Sequence, residues 1–232
     1  MIYHVTHDLR ASLRALKTLP RWIADDLASH GVPLPSGVAE NIDAMISQVA
    51  ILDQMILDLR EYSRAGRCKA PAQTVSILDL VSEILPDLPR NPAVSPEFDL
   101  EIAEILAPAD QMKRQLHALL KNAVQHHDQP SATISIRTVL DEDRLLLSIC
   151  DDGPGIAAEM REQAFAPMAT LYRREEGAGT GLGLSIARRV VTRLGGQVSL
   201  SSREGARGLV VTINLPASCA VRSQPIQLTG TD

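Results

Sequence analysis

The most informative run of the sequence combines two acids with two closely spaced glycines: Asp151-Asp152-Gly153-Pro154-Gly155-Ile156. It follows an apolar segment, residues 145–150, that is typical of a buried strand. The pattern predicts an acid at a strand end and a backbone that can approach a ligand closely, because glycine carries no side chain. Taken alone, an Asp-Gly pair is first a turn signal, so an ordinary loop is an equally good interpretation.

A second glycine-rich run follows further along the chain: Gly179-Thr180-Gly181-Leu182-Gly183-Leu184. It immediately precedes residues 185–194, whose apolar spacing predicts an amphipathic helix. The unpaired N–H groups and the dipole at a helix N-terminus favour a phosphate group. The two runs in this order, with a long polar segment between them, predict a nucleotide-binding site.

The composition excludes several classes of protein. With 232 residues, of which 45% are apolar, the chain is expected to form one or two ordinary domains. No apolar run approaches the roughly 20 residues of a membrane span, and no hydrophobic signal segment begins the chain. The net charge of −5 argues against nucleic-acid binding. The three cysteines have no metal-like spacing and build no disulfide framework, so we expect a reducing, cytoplasmic location.

Two N-terminal segments, residues 2–29 and 39–62, carry apolar residues at spacings of three and four, which predicts two amphipathic helices. Residues 31–37 form a turn by composition, so the helices should make an antiparallel hairpin. Pro20 is expected to kink the first helix because it removes a hydrogen-bond donor. A lone hairpin buries little apolar surface, so we expect a homodimer in which two hairpins form a four-helix bundle.

The rest of the chain changes pattern after the basic segment 63–71. Alternating and helical segments predict a mixed sheet covered by helices, an α/β sandwich. The expected strands are residues 98–102, 132–139, 144–150, 197–201 and 208–215, and the expected helices lie within 75–88, 108–127 and 185–194. We therefore place a helical hairpin at 1–66, a linker at 67–74, a ligand-binding domain at 75–217 and a flexible tail at 218–232.

Several polar residues could carry chemistry, and each has a plainer interpretation. The Asn122 side chain offers an oxygen ligand for Mg²⁺, although an amide at the edge of a buried helix face is often only a satisfied polar group. The Asp151 carboxylate could accept a hydrogen bond from the amine of adenine, or it could be a solvated turn acid. The cations Lys121, Arg173 and Arg174 could contact phosphate, although most charged residues are simply solvated.

The histidines form a second set of candidates. His7 lies beside the apolar stripe of the first helix, and Asp8 could orient its imidazole or take its proton, which would make His7 a nucleophile. A structural or surface role is the alternative. His126 and His127 end the helix that contains Asn122, where a favourable interaction with the helix C-terminus is the simpler interpretation and a phosphate contact the other.

Taken together, these segments resemble the catalytic core of a sensor histidine kinase of a two-component system, from about residue 4 to Pro216. The motifs that carry the resemblance are the phosphoacceptor box at 7–13, the end of the second dimerisation helix at 59–64, the N box at 119–123, the first glycine box at 151–156, the F box at 165–168, the second glycine box at 179–184 and the ending at 195–216. The resemblance implies an α+β protein, with a dimeric helical hairpin followed by a Bergerat-type ATP-binding domain.

The resemblance also implies a function and a set of roles. Autophosphorylation would occur on His7, with Asp8 as base or orienting group, from ATP bound with Mg²⁺. Asn122 would hold Mg²⁺ and Asp151 would recognise adenine. The remaining nucleotide contacts would come from the glycine boxes: Gly153, Gly155, Ile156, Gly179, Thr180, Gly181, Leu182 and Gly183. The phosphoryl group would then pass to an aspartate in the receiver domain of a response regulator.

The sequence departs from the family pattern at several positions. Ser12 replaces a frequent proline, Met168 a frequent aromatic residue, and Ala118 the polar residue that usually begins the N box. Ala11 occupies a position where relatives with phosphatase activity often carry Thr or Asn, so weak phosphatase activity is expected. Because only six residues precede His7, we expect either a sensor segment that has been removed or a different mode of regulation.

Two other functions are considered. A phosphotransfer protein of the same shape would need no ATP chemistry, and Ala118 favours it, whereas the intact glycine boxes oppose it. An ATPase of this fold could also hydrolyse ATP without phosphorylating itself.

Overall fold

A computed structural model describes residues 2–65, 70–169 and 180–221, with the backbone alone for residues 2–8, 10, 11 and 65. The chain divides into two compact units, Met1–Arg64 and Ala65–Asp232. The first unit is helical, and the second combines helices with strands. The α+β class expected from the sequence, a helical hairpin followed by an α/β domain, is therefore confirmed.

The first unit consists of two long helices, α1 (Ile2–Ser29) and α2 (Ser36–Ala65). α1 runs through Pro20 without a break. After α1 the chain turns back through a hydrogen bond from the Val32 N–H to the Leu27 carbonyl oxygen at 3.0 Å. Leu13 and Val49 are the large aliphatic residues that this unit buries most completely among its described side chains.

Each helix also carries an apolar stripe that stays exposed. On α1 the stripe consists of Leu9, Leu16 and Ile23, and on α2 of Val38, Met45, Leu52 and Leu59. The members of each stripe are seven residues apart, a spacing that returns to one face of a helix. Their exposed fractions lie between 39% and 54%, so this chain alone leaves the two stripes in contact with solvent.

The second unit contains two sheets. Its described strands are β1 (Gln73–Ser76), β2 (Ala93–Leu100), β3 (Glu104–Ala107), β4 (Ser131–Asp141), β5 (Arg144–Asp151), β6 (Gln197–Ser202), β7 (Leu209–Pro216) and β8 (Ala220–Val221). The larger sheet has the order β2-β4-β5-β7-β6, in which β2 and β4 are parallel and the other pairs antiparallel. The smaller sheet, β1-β3-β8, is antiparallel.

Three α-helices lie among the described residues of this unit: α3 (Ile77–Ile84), α4 (Ala109–Gln125) and α5 (Gly183–Arg193). Their apolar faces and alternate residues of the sheet form one buried core. On β5 the core side chains are Leu145, Leu147 and Ile149, and each such residue contributes about 1.5–3 kcal/mol on burial. Because side chains alternate along a strand, the same face continues to Asp151 at the end of β5.

The helix ends are defined by local chemistry. The Ser76 hydroxyl accepts the backbone N–H of Asp79 at 3.2 Å and begins α3. α5 has Leu182 as its N-cap residue, whose side chain makes no capping hydrogen bond. It ends before Gly195, whose φ of 76° is the left-handed conformation that commonly stops a helix.

The structure corrects several element boundaries. β2 starts at Ala93 rather than residue 98, because Pro96 is tolerated in an edge strand and had concealed the start. β1 includes Gln73 and Thr74, which had been assigned to the linker. β3 was missed, and β8 lies in the segment expected to be a flexible tail, where it pairs with β3. Residues 66–69 and 222–232 lie outside the described part of the chain.

Candidate functional site

Asp151, the last residue of β5, is the buried acid of the candidate site. Its Oδ1 accepts the backbone N–H of Gly153 at 3.0 Å and that of Leu209 at 3.1 Å. Burial raises the pKa of Asp151 above its ordinary value, and the two backbone hydrogen bonds offset this only in part. Within the described chain Oδ2 makes no hydrogen bond, so it can accept one from a ligand.

Glycines allow the start of β7 to lie directly against the loop after β5. Gly208 has a φ of 132°, and a Cβ placed on it would collide with the carbonyl oxygen of Asp151. Gly155 has a φ of 74°, and a Cβ there would lie 3.0 Å from the Gly208 carbonyl oxygen. Ile156 then packs against the edge of the core. The first glycine run is therefore a close crossing of two backbones, held in place by the apolar contact of Ile156.

The second glycine run leads into α5. Gly181 has a φ of 71°, and a Cβ on it would lie 2.6 Å from the carbonyl oxygen of Ala169, so the chain on either side of residues 170–179 meets at this point. Thr180 and Leu182 are buried. Gly183 is the first residue of α5. Gly179 lies outside the described residues, as do Arg173 and Arg174.

Asn122 lies on α4 with a partly exposed side chain that makes no hydrogen bond to any described residue. One turn earlier, Ala118 faces the start of α5, since a Cβ on Gly183 would lie 3.7 Å from the Cβ of Ala118. The His127 ring, two residues beyond the end of α4, lies against Gly153. α4 and the residues that follow it therefore contact both glycine runs, and Asn122 lies between the two contacts along the chain. Lys121 beside it is also partly exposed.

The segment between the glycine runs is anchored at its base to α5. Arg188 donates two hydrogen bonds to the Glu162 carboxylate, at 2.7 and 2.8 Å, and its guanidinium lies 4.0 Å from the centroid of the buried Phe165 ring. The hydrogen bonds from Arg188 lower the pKa of Glu162. The planar guanidinium of Arg188 therefore holds the F box, residues 165–168, against α5.

The candidate nucleophile is not placed by side-chain geometry. His7 and Asp8 lie on the backbone of α1, in the first compact unit, and their side chains are outside the described part of the structure. Their roles stay predictions.

One contact of the site, between His127 and Asp152, was not predicted from the sequence. The His127 side chain is fully buried, and its Nε2–H donates to Asp152 Oδ1 at 2.8 Å. The backbone N–H of Thr133 donates to the same oxygen at 2.9 Å. Although burial opposes it, these hydrogen bonds lower the pKa of Asp152. The sequence shows two adjacent acids, Asp151 and Asp152, and two adjacent histidines, His126 and His127. It does not indicate that Asp152 would pair with His127.

Comparison with known proteins gives a consistent assignment. Residues 107–218 match the family of histidine kinase-, DNA gyrase B- and HSP90-like ATPases. The sensor histidine kinase ZraS of Salmonella typhimurium is 28% identical over 219 residues, which cover 91% of this chain and 44% of that protein. The chain corresponds to only part of each of these curated relatives, since it spans 25% to 46% of their length.

Solved structures share the fold. Full-length ShkA in complex with AMPPNP superposes with a TM-score of 0.70 at 19% identity, covering 97% of this chain and 47% of that one. The histidine kinase ThkA in complex with the response regulator TrrA gives a TM-score of 0.63 at 20% identity, covering 92% and 61%.

The second unit is thus an ATPase domain of the histidine kinase, gyrase B and HSP90 type. Together with the helical hairpin before it, this gives the chain the organisation of a sensor histidine kinase catalytic core, and sensor histidine kinases are the relatives that it resembles. The resemblance found in the sequence is therefore confirmed. Among the described residues, no helix combines the length and the apolarity needed to cross a membrane.

Proposed function

We propose that the chain binds Mg-ATP, phosphorylates itself on His7 and transfers the phosphoryl group to an aspartate of a response regulator. The observation that carries the proposal is the buried Asp151 carboxylate, which has one oxygen held by backbone N–H groups and the other available to a ligand. The ATPase family supports the nucleotide, as does the presence of AMPPNP in the structurally similar ShkA. We place the reaction in the cytoplasm, where ATP is available.

Asp151 Oδ2 would accept a hydrogen bond from the exocyclic amine of adenine, which guanine presents at a different position. The phosphates would lie toward α5, whose first turn has no side-chain cap, with the backbone of residues 179–183 around them. The backbone of Gly153, Gly155 and Ile156 would line the nucleoside side. This order follows from two contacts: Ala118 on α4 faces Gly183, and His127, just after α4, faces Gly153.

The described residues fit Mg²⁺ only as an ion shared with the nucleotide. No group of three or more His, Cys, Asp or Glu in the described ranges could hold a metal ion. Asn122, whose side chain has no hydrogen bond within those ranges, would supply the protein ligand, and the phosphate oxygens and water the rest. The ion would neutralise charge on the phosphates.

The phosphoryl transfer would depend mainly on positioning the reactants and neutralising charge. A nitrogen of the His7 imidazole would attack the γ-phosphorus in line, forming the N–P bond as the P–O bond to ADP breaks. Asp8 would orient the ring or accept its proton. In the second step an aspartate oxygen of the regulator would displace the histidine. The complex of ThkA with TrrA supports this class of partner.

We further propose that the hairpin, within residues 1–66, forms a homodimer, and that the linker expected at 67–74, whose last two residues belong to β1, joins it to the ATP-binding domain. The exposed stripes on α1 and α2 support the dimer, because a second copy would cover both as a four-helix bundle.

A phosphotransfer protein without ATP chemistry is the second candidate, and Ala118 is the observation that favours it. Its methyl group faces the start of α5, at the position where the family pattern that the sequence resembles usually has a polar residue. If Ala118 prevents productive binding of the ATP phosphates, the chain would accept a phosphoryl group from a partner rather than take it from ATP.

The two candidates are separated by incubation with Mg²⁺ and ATP carrying the label at either the α- or the γ-phosphate. The kinase is expected to retain γ-label in an acid-labile, base-stable form and to retain no α-label. If neither label is retained although calorimetry detects ATP binding, the kinase proposal is wrong and an ATPase remains. If no ATP binds, the phosphotransfer protein is favoured.

A further inference from the structure

We infer that His127 is a positioning residue for Asp151: through Asp152 and Gly153, its buried imidazole sets the position of the carboxylate that selects adenine. The inference rests on the proposed nucleotide binding and adds a residue that determines base specificity. His127 itself lies outside the glycine boxes and would not touch the nucleotide.

The imidazole is held at both nitrogens. Nε2–H donates to Asp152 Oδ1 at 2.8 Å, and Nδ1 lies 3.1 Å from the backbone N–H of Gln129, which donates to it. Nδ1 also lies 3.2 Å from the carbonyl oxygen of Gln129. The side chain has no solvent exposure, whereas the Asp152 side chain remains 32% exposed. The pair is therefore anchored from the protein interior.

One carboxylate oxygen of Asp152 accepts two hydrogen bonds. The Thr133 N–H on β4 and the His127 Nε2–H both end at Oδ1. The peptide that joins Asp151 to Asp152 is consequently fixed to β4 and to the end of α4 at the same point. A change at His127 reaches Asp151 through a single peptide unit.

A second contact runs through Gly153. A Cβ placed on this glycine would lie 3.1 Å from Asp151 Oδ1 and 3.4 Å from Cδ2 of the His127 ring. The ring and the carboxylate thus occupy the space beside the same α-carbon. The N–H of Gly153 is also one of the two donors that hold Asp151 Oδ1. Loss of the ring would free Gly153 to move and would loosen this donor.

The arrangement also connects the two halves of the proposed site. His127 follows α4, the helix that carries Asn122, and the His127 N–H donates to the Val124 carbonyl oxygen at 3.2 Å. The His127–Asp152 pair therefore fixes the end of α4 relative to the Asp151 carboxylate. This keeps Asn122, at the phosphate end of a bound nucleotide, correctly placed relative to the group that would bind adenine.

The test is the binding of ATP and of inosine triphosphate to the full chain, measured by calorimetry for His127→Leu and His127→Gln. Inosine carries an acceptor oxygen at C6 in place of the amine, so its triphosphate gains no hydrogen bond from a well-placed Asp151 carboxylate. Leucine fills the space without a donor, whereas glutamine can place an N–H near the position of Nε2. His127→Leu is expected to bind ATP about tenfold more weakly and inosine triphosphate as wild type does. His127→Gln is expected to retain the wild-type preference for ATP.

Asp152 provides independent variants in case His127→Leu does not fold. Asp152→Asn keeps a carbonyl oxygen for both donors and should retain the preference for ATP, whereas Asp152→Ala should lose it about tenfold. The matched control is Asp128→Asn, which removes an exposed acid that pairs with Arg207 and should leave both affinities unchanged.

The inference is overturned if His127→Leu or Asp152→Ala binds both nucleotides as wild type does, or loses affinity for both equally, since equal loss indicates general damage. If the wild type itself does not bind ATP, the proposed function is wrong. This outcome is distinct from a failure of the inference, which appears only when the variants are compared with a wild type that binds ATP.

Discussion

The Asp151 carboxylate accepts the backbone N–H of Leu209 at 3.1 Å, although 58 residues separate the two along the chain. This hydrogen bond joins the end of β5 to the start of β7, and it uses Oδ1, the oxygen that also binds the Gly153 N–H. An amide oxygen could accept both N–H groups equally well. Structure and ligand recognition at Asp151 can therefore be separated by one substitution.

Asp151→Asn is expected to fold normally and to bind ATP at least tenfold more weakly. The amide oxygen keeps the two internal hydrogen bonds, but the amide NH₂ replaces the oxygen that would accept the adenine amine. Calorimetric titration with ATP measures the loss. Undiminished affinity for ATP would show that Asp151 does not recognise adenine.

The same substitution is expected to stabilise the chain at neutral pH. Because burial raises the pKa of Asp151 above 3.8, the buried charge lowers the free energy of unfolding at pH values above the folded pKa, and this cost disappears when the carboxyl is protonated. Removing the charge should raise Tm by about 2 °C at neutral pH. The gain should shrink as the pH falls toward about 4.

Thermal unfolding across this pH range measures the difference. Asp128→Asn is the control, because its exposed carboxylate pairs with Arg207, which lowers its pKa, and its removal should bring no gain. A stability difference for Asp151→Asn that grows on acidification would contradict the assigned cause.

Gly208→Ala tests the crossing of the two backbones at the site. A Cβ at this position would collide with the Asp151 carbonyl oxygen, so the start of β7 must move away. We expect a loss of unfolding free energy of about 3 kcal/mol or more, with loss of ATP binding. Gly205→Ala is the matched control, because Gly205 also has a positive φ but no atom within 4 Å of its Cβ position. It should cost only about 1–2 kcal/mol. Urea unfolding measures both, and equal losses would exclude the collision as the cause.

Leu52→Glu tests the proposed dimer. Leu52 lies on the exposed apolar stripe of α2, so a charge there should be costly only when a second copy covers the stripe. Sedimentation at micromolar concentration is expected to give a dimer for the wild type and a monomer for the variant. Ser47→Glu, on the opposite face of the same helix, should remain dimeric. A monomeric wild type would refute the four-helix bundle.

The helices and strands that follow a regular apolar period could be predicted from the sequence. The alternation in β5 indicates which face is buried and therefore places Asp151 at the edge of the core. The apolar spacing likewise predicts α1, α2 and α4. β3 was missed because four residues are too few for a period to be visible, and β2 was shortened because Pro96 is tolerated only at an edge that the sequence does not identify.

The contacts inside the site could not be obtained in this way. The donor from Leu209 is a backbone group, so residue type carries no information about it. His127 and Asp152 lie 25 residues apart and meet only because α4 and β5 end at the same edge of the unit. Such pairs depend on tertiary packing, and a single sequence records the residues without the distance between them.

The most direct test of the proposed kinase is the labelling of His7→Gln beside His4→Gln, after incubation with γ-labelled ATP and Mg²⁺. The two histidines lie three positions apart on α1, so His4→Gln controls for the loss of an imidazole from the same segment. We predict full labelling of His4→Gln and none of His7→Gln, with ATP binding unchanged in both. Label retained by His7→Gln at the wild-type level would contradict the account.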